Sequence, residues 1–334
     1  MTSDLRRAAT ALAFAGLLLG AGVAHAQFDL GGQRAGTSSG AFLKIGVGAR
    51  AVGMGEAFVA VANDPSTIVW NPAGLASILR KEVQFSHAAW PADISYDMLV
   101  CVLPSRRLGG SLAFQVGMLG TRIDETDEYH PYGTGTTFTY SDFVAGVAYG
   151  RRWTDKLLIG AGIKYMREDL GSEVGGPTTS ATLVDLGSIY YLGYGSVRIA
   201  TSLSNFGPEM TPSGTYTSPY SLETRNYDGF DPPIQFRYGL AFEAIENAQQ
   251  RLTVSTEILQ PADNAQRIKT GLEWVWMRRY ALRTGYNFNA DVMRFSAGAG
   301  ITMPMSVAQG SVDYTFTDGG PLGSVHRMSL GFRF

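Results

Sequence analysis

From about residue 82 to the C-terminus the chain alternates. Near the end, His326, Met328, Leu330, Phe332 and Phe334 fall on one face of an extended chain, and Arg327, Ser329, Gly331 and Arg333 fall on the other. Leu282, Thr284, Tyr286 and Phe288 oppose Arg283, Gly285, Asn287 and Asn289, and Leu272, Trp274 and Trp276 oppose Lys269, Gly271 and Glu273. A period of two is the signature of a half-buried β-strand, because successive side chains point to opposite faces. The pattern predicts about fourteen such strands, starting near Glu82, Ser95, Gly109, Phe138, Lys156, Ser180, Ser196, Ile234, Arg251, Gln266, Tyr280, Val292, Ser306 and Ser324.

The chemistry of the two faces decides which β-fold this is. One face is aromatic and aliphatic, with aromatics at strand ends, while the other carries Gly, Ser and charged residues. A soluble sandwich also alternates, but it turns the apolar face inward. A transmembrane barrel turns that face to lipid and keeps the polar one for its lumen. No stretch after the N-terminal leader is apolar for long enough to cross a bilayer as a helix, so a membrane protein of this sequence has to span by closing a barrel. The expected fold is therefore all-β, a transmembrane antiparallel β-barrel of about fourteen strands.

Loop lengths agree. Residues 123–137, 170–179 and 206–233 form long connections at odd positions, whereas 104–108, 151–155, 192–195 and 304–305 are tight. Short periplasmic turns opposite long outer loops give that parity, with both termini periplasmic. The lumen face carries Arg237, Glu257, Lys269, Glu273, Arg283, Asp313, Arg327 and Arg333. Mixed signs point to a paired network more than to an ion-selective pore, where one sign dominates.

The first 80 residues do not alternate. Arg6 and Arg7 precede an apolar stretch, Ala8 to Val23, that ends in Ala24-His25-Ala26, so residues 1–26 read as a secretory signal peptide cleaved after Ala26. Its removal takes away Asp4, Arg6 and Arg7 and leaves 25 basic against 28 acidic side chains, a net charge near −3 with no electrostatic case for nucleic acid. Residues 27–80 then form a compact segment dense in Ala, Gly and Val, and residues 81–334 are the wall. Asn63 or Asp64 is placed to cap a short helical turn begun at Asp64-Pro65, and Asn71-Pro72 stops it. Such a segment is the right size to fill a barrel of this width as a plug.

The stretch GTSSGAFLKIGVGARAVGMGEAFVAVANDPSTIVWNPAGLA, Gly36 to Ala76, resembles the N-terminal signature of the PorV/PorQ family, which is related to the FadL long-chain fatty-acid transporters. The resemblance implies an outer-membrane barrel of fourteen strands with an internal hatch. It assigns Asn71, Pro72 and Ala73, with Gly53 and Gly55, to the hatch motif. It also implies a non-enzymatic binding platform or shuttle for type IX-like protein secretion, with secreted cargo or secretion components as partners. FadL-like passive uptake of a hydrophobic small molecule is the alternative.

Candidate chemistry adds little beyond this. His87, His130 and His326 have no metal-ligand spacing, and neighbouring Ser86 and His87 point to opposite faces of a strand, so neither a metal, a cofactor nor a catalytic centre is expected. The lone Cys101 lies in a predicted strand as a packing residue. Asp124, Glu125, Asp127 and Glu128 lie in an outer loop, a solvated run or a calcium-mediated bridge to lipopolysaccharide. Tyr216, Tyr220, Tyr227 and Phe230 in the longest loop suit capture of an apolar ligand or a protein partner. Phe332 and the terminal Phe334 resemble the signal read by barrel-assembly machinery, with outer-membrane lipid and lipopolysaccharide as surroundings.

Overall fold

In the computed structural model, which describes residues 35–126, 128–217 and 223–334, the alternating segments are strands. They are β1 (Glu82–Ala89), β2 (Ser95–Ser105), β3 (Gly110–Asp124), β4 (Thr137–Arg152), β5 (Leu157–Asp169), β6 (Thr178–Tyr191), β7 (Arg198–Phe206), β8 (Thr215–Thr217), β9 (Thr224–Asn226), β10 (Gln235–Glu246), β11 (Gln250–Pro261), β12 (Arg267–Trp276), β13 (Tyr280–Phe288), β14 (Phe295–Pro304), β15 (Gln309–Asp318) and β16 (Ser324–Arg333). Fourteen of them form one closed antiparallel barrel. β1 closes on β16 in a continuous register from Glu82↔Arg333 to Ala89↔His326, so the wall has no free edge. The remaining two, β8 and β9, form a separate hairpin within the connection between β7 and β10.

Burial runs opposite to that of a soluble domain. Phe85, Phe114, Phe236, Leu282 and Phe332 are exposed on the outside, while Glu257, Lys269, Glu273 and Thr315 are buried on the inside. That inversion is what a lipid-facing exterior requires. Trp276 and Tyr280 face outward together at one end of the wall, with rings 5.8 Å apart, and Tyr286 and Phe288 do so at the other.

One end of the barrel carries only tight turns, such as residues 106–109, 153–156 and 277–279, and Phe334 lies there, its N–H bonded to the Lys81 carbonyl. The other end carries the longer connections 125–136, 170–177 and 207–234. The parity read from the sequence is thus the parity of the structure. The signal peptide expected at residues 1–26 lies outside the described residues.

Residues 36–80 contain no strand of the wall. They form short helical turns, Ala41–Lys44, Ala49–Gly53, Thr67–Trp70 and Pro72–Ser77. The helix at Thr67 is preceded by an Asp64 side chain that accepts from the Ser66 N–H and hydroxyl, and it ends where Asn71 turns extended before Pro72. The segment bonds to the buried face of strands all round the wall. Ser111 of β3 donates to the Ile78 carbonyl, Arg198 of β7 to Ala60, and Glu257 of β11 accepts from the Phe58 and Val59 N–H groups. Ser329 of β16 accepts from Ala49.

Candidate functional site

The interior surface shared by residues 36–80 and the wall is built around two anchors. At the first, Asn71 is fully buried and uses its whole side chain: Nδ2 donates to the carbonyls of Val59 (3.0 Å) and Ser188 (3.1 Å), and Oδ1 accepts from Ala73 (3.1 Å). Thr67 donates to the Asn71 carbonyl at 2.6 Å, and the Trp70 indole N–H donates to Val47 at 2.9 Å. The wall makes room with glycine. A Cβ on Gly160 of β5 or Gly187 of β6 would overlap Pro72 and Asn71. The small residues on the lumen face therefore exist for close approach of another backbone.

At the second anchor, Gly55, with φ 63°, lies flat against Gly285 of β13, and Gly53 packs by Thr315 of β15. The residues that the resemblance assigns to a hatch motif thus make two contacts on different sides of the barrel: Asn71-Pro72-Ala73 against β5 and β6, and Gly53 with Gly55 against β13 and β15.

Between the anchors runs the mixed-sign network. Arg50 bonds Glu273 (2.7 Å) and Asp64 (3.0 Å), Arg283 bridges Glu273 (2.8 Å) and Asp313 (2.6 Å), and Lys269 bonds Glu56 (2.8 Å). Arg237 lies 3.6 Å from Glu257 and stacks over Trp70. Burial disfavours the Arg50 charge, but Glu273 and then Asp64 outweigh it and hold the guanidinium above its usual range. Burial likewise raises the Glu56 carboxyl, and Lys269 more than offsets this, leaving it below the ordinary value. Arg50 and Glu56 were missed as members by reading the wall alone. Their only signal in the sequence is that they are charged residues within a run of Ala, Gly and Val.

The end with long connections closes over an apolar cluster. Phe42 packs edge-on against Tyr96, with ring centroids 6.3 Å apart, in a buried cluster that includes Met98, Met166, Leu183 and Met210. Met210 comes from the longest connection and pairs with Phe230 in both directions (2.8 and 2.9 Å). That connection is tied to the lumenal segment by a bridge between Ser38 and Asp231, while Asp263 accepts from Ser38 and from Lys44 (2.5 Å). Beside Leu43 and Tyr96 the interior leaves a cavity about the size of one water, edged by Lys164 and Arg237. Of the four loop aromatics, Tyr216 and Tyr227 lie beside the β8–β9 hairpin with ring centroids 5.3 Å apart and planes tilted by 36°, Phe230 lies by Met210, and Tyr220 is outside the described residues. Phe332 faces outward on β16.

Several solved structures share this architecture. The chain superimposes on the Ralstonia pickettii toluene transporter TbuX with a TM-score of 0.55 at 12% identity, over 86% of this chain and 97% of that one. It is similar to the CymD monoaromatic hydrocarbon channel (TM-score 0.55, 13% identity, 86% and 96%) and to the Pseudomonas putida toluene transporter TodX (0.53, 11%, 86% and 98%). At these identities what is shared is the fold. No curated protein matches the sequence. The model of the Uncharacterised protein family (UPF0164) matches residues 19–147, which takes in the lumenal segment and the wall strands as far as β4 and is less than half of the chain.

Proposed function

We propose that this protein is an outer-membrane barrel that admits apolar small molecules, with residues 36–80 as the hatch. The observation that carries this reading is Phe42, an aromatic ring seated by the chain itself in a pocket of Tyr96 and methionine side chains beneath the longest loop. A pocket that accepts a phenyl group from within also fits one from outside, and methionine adapts to ligands of different shape. The fold shared with a toluene transporter and a monoaromatic hydrocarbon channel supports the same class of cargo. On this reading, a ligand that takes the place of the Phe42 ring displaces Phe42 and the Met210 loop.

Whole-cell uptake of a radiolabelled monoaromatic compound tests this. Expression of the wild-type protein in a strain lacking its own route raises the uptake rate, and Phe42→Arg, which puts a charge in the pocket, abolishes the gain while the barrel still folds. Uptake equal with and without the protein rejects the reading.

A second reading, a platform for protein secretion, has its support in Tyr132, fully exposed in the 125–136 connection, and in the exposed Tyr216 of the β8–β9 hairpin. Deleting residues 207–233 separates the two: a loss of cargo release with unchanged hydrocarbon uptake favours the platform. The surroundings proposed for either are outer-membrane lipid and lipopolysaccharide, with assembly machinery reading Phe332 and Phe334.

A further inference from the structure

Glu168 of β5 stands directly between Asp142 of β4 and Thr179 of β6, all three on the lumen side near the end that carries the long connections. Cross-strand neighbours on one face are about 5 Å apart at Cβ, so Asp142 and Thr179 each lie beside Glu168, one on either side. Tyr140 links the carboxylates, its hydroxyl 2.9 Å from Asp142 Oδ2 and 3.4 Å from Glu168 Oε1. Glu168 Oε2 accepts from the Gly40 N–H (3.2 Å) and the Ser39 hydroxyl.

Among the described residues, every other buried carboxylate in the lumen has a base. Glu273 has Arg50 and Arg283, and Asp185 has Lys164. Among the described residues no Lys, Arg or His forms an ion pair with Asp142 or Glu168. Two further atoms add to the mismatch. Asp142 Oδ1 and the Thr179 hydroxyl are buried, with residue exposures of 1% and 2%, and neither has a hydrogen-bond partner. Two adjacent buried carboxylates do not both stay ionised without a compensating positive charge, and an orphaned buried oxygen is costly. One ligand relieves both faults.

We propose that Asp142, Glu168 and Thr179, with the Tyr140 hydroxyl, hold a hard divalent cation of the Ca²⁺ type. All the donors are oxygens, with no imidazole or thiolate, which selects a hard cation over zinc or copper. The ion neutralises the carboxylate pair and uses the two free oxygens. Because Glu168 also grips Ser39 and Gly40, the ion fixes the part of the lumenal segment that lies beneath the longest loop.

Terbium luminescence of the purified full-length barrel in detergent reads the site, since Tyr140 is placed to sensitise the ion. The expected result is saturable Tb³⁺ emission that Ca²⁺ displaces, with calorimetry of Ca²⁺ alone giving one ion per barrel. Asp142→Asn and Glu168→Gln weaken binding by at least about tenfold, while heat-modifiable migration on gels reports that both variants fold. Glu125→Gln, in the acidic outer loop, leaves the signal unchanged. The proposal fails if neither method detects an ion, or if the signal survives Asp142→Asn and disappears in Glu125→Gln. An infrared band of a protonated carboxylic acid at neutral pH that Asp142→Asn removes would overturn it too, since a proton then supplies the missing charge.

Discussion

Asn71 holds the carbonyl of Ser188 at 3.1 Å across the boundary between the lumenal segment and strand β6. The contact joins Asn71 to the wall through backbone, so what it recognises is the position of the strand rather than the identity of a side chain.

Asn71→Ala removes that bond together with those to Val59 and Ala73 and leaves the three backbone groups buried. Each buried group left unpaired costs about 1–3 kcal/mol. The wall ladder is untouched, so the variant still runs as a folded, heat-modifiable barrel. Limited proteolysis then cuts within residues 36–80, where the wild type resists, and small-solute permeability of proteoliposomes rises. A variant that fails to assemble at all would mean that the clasp is needed for folding of the wall itself.

Gly187→Val inserts a branched side chain where Asn71 and Pro72 already sit, and no rotamer avoids the overlap. It is expected to open the lumen more than Asn71→Ala does. Gly120→Ala is the matched control, because a Cβ there meets only the Tyr140 carbonyl at an ordinary 3.6 Å. Permeability and protease resistance of the control remain at wild-type level, and equal effects of the two substitutions would remove the steric explanation.

The wall was legible because period two is a local property. The expected starts at Glu82, Ser95, Tyr280 and Ser324 are the observed ones, whereas Val292 and Ser306 each fall three residues before β14 and β15 because extended-looking residues continue through the turns. The β8–β9 hairpin was not legible, since three residues per strand are too few to show alternation. The faces of Gly160 and Gly187 follow from the pattern, but their purpose depends on what meets them. Pairings such as Arg50 with Glu273, 223 residues apart, depend on the path of a segment with no periodicity of its own. Phe42 reads as one apolar residue in a run of small ones, and only the closing of Tyr96 and Met210 around it makes it a pocket occupant.

Glu273 is shared by Arg50 and Arg283, so its removal and the removal of one partner are not equivalent. Glu273→Gln leaves two buried guanidinium groups short of their common anion, which costs about 3–5 kcal/mol, with Asp64 and Asp313 recovering part of it. Arg50→Met leaves Glu273 paired with Arg283 and costs less. In the double variant Arg50→Met/Glu273→Met, Arg283 keeps Asp313, and the loss is smaller than the sum of the single losses. Unfolding of the barrel in guanidinium, compared across the three variants, measures that coupling. Additive losses would mean that the network does not act as a unit.

Asp263 gives the tie between the lumenal segment and the end with long connections a defined acid limit. Burial raises its carboxyl, but hydrogen bonds from Lys44 and Ser38 and the Lys44 charge outweigh burial and hold it below its ordinary value of 3.8. A carboxyl depressed in the folded state stabilises that state fully above its unfolded value. The contribution is lost as pH falls from there through the folded value. The tie is therefore expected to be constant from neutral pH down to about pH 5 and to weaken only below about pH 4. Amide hydrogen exchange of residues 38–44, corrected for intrinsic rates, checks this in the wild type. Asp263→Asn shows at neutral pH the fast exchange that the wild type reaches only in acid. Faster exchange of the wild type already near pH 6 would assign the tie to a group other than Asp263.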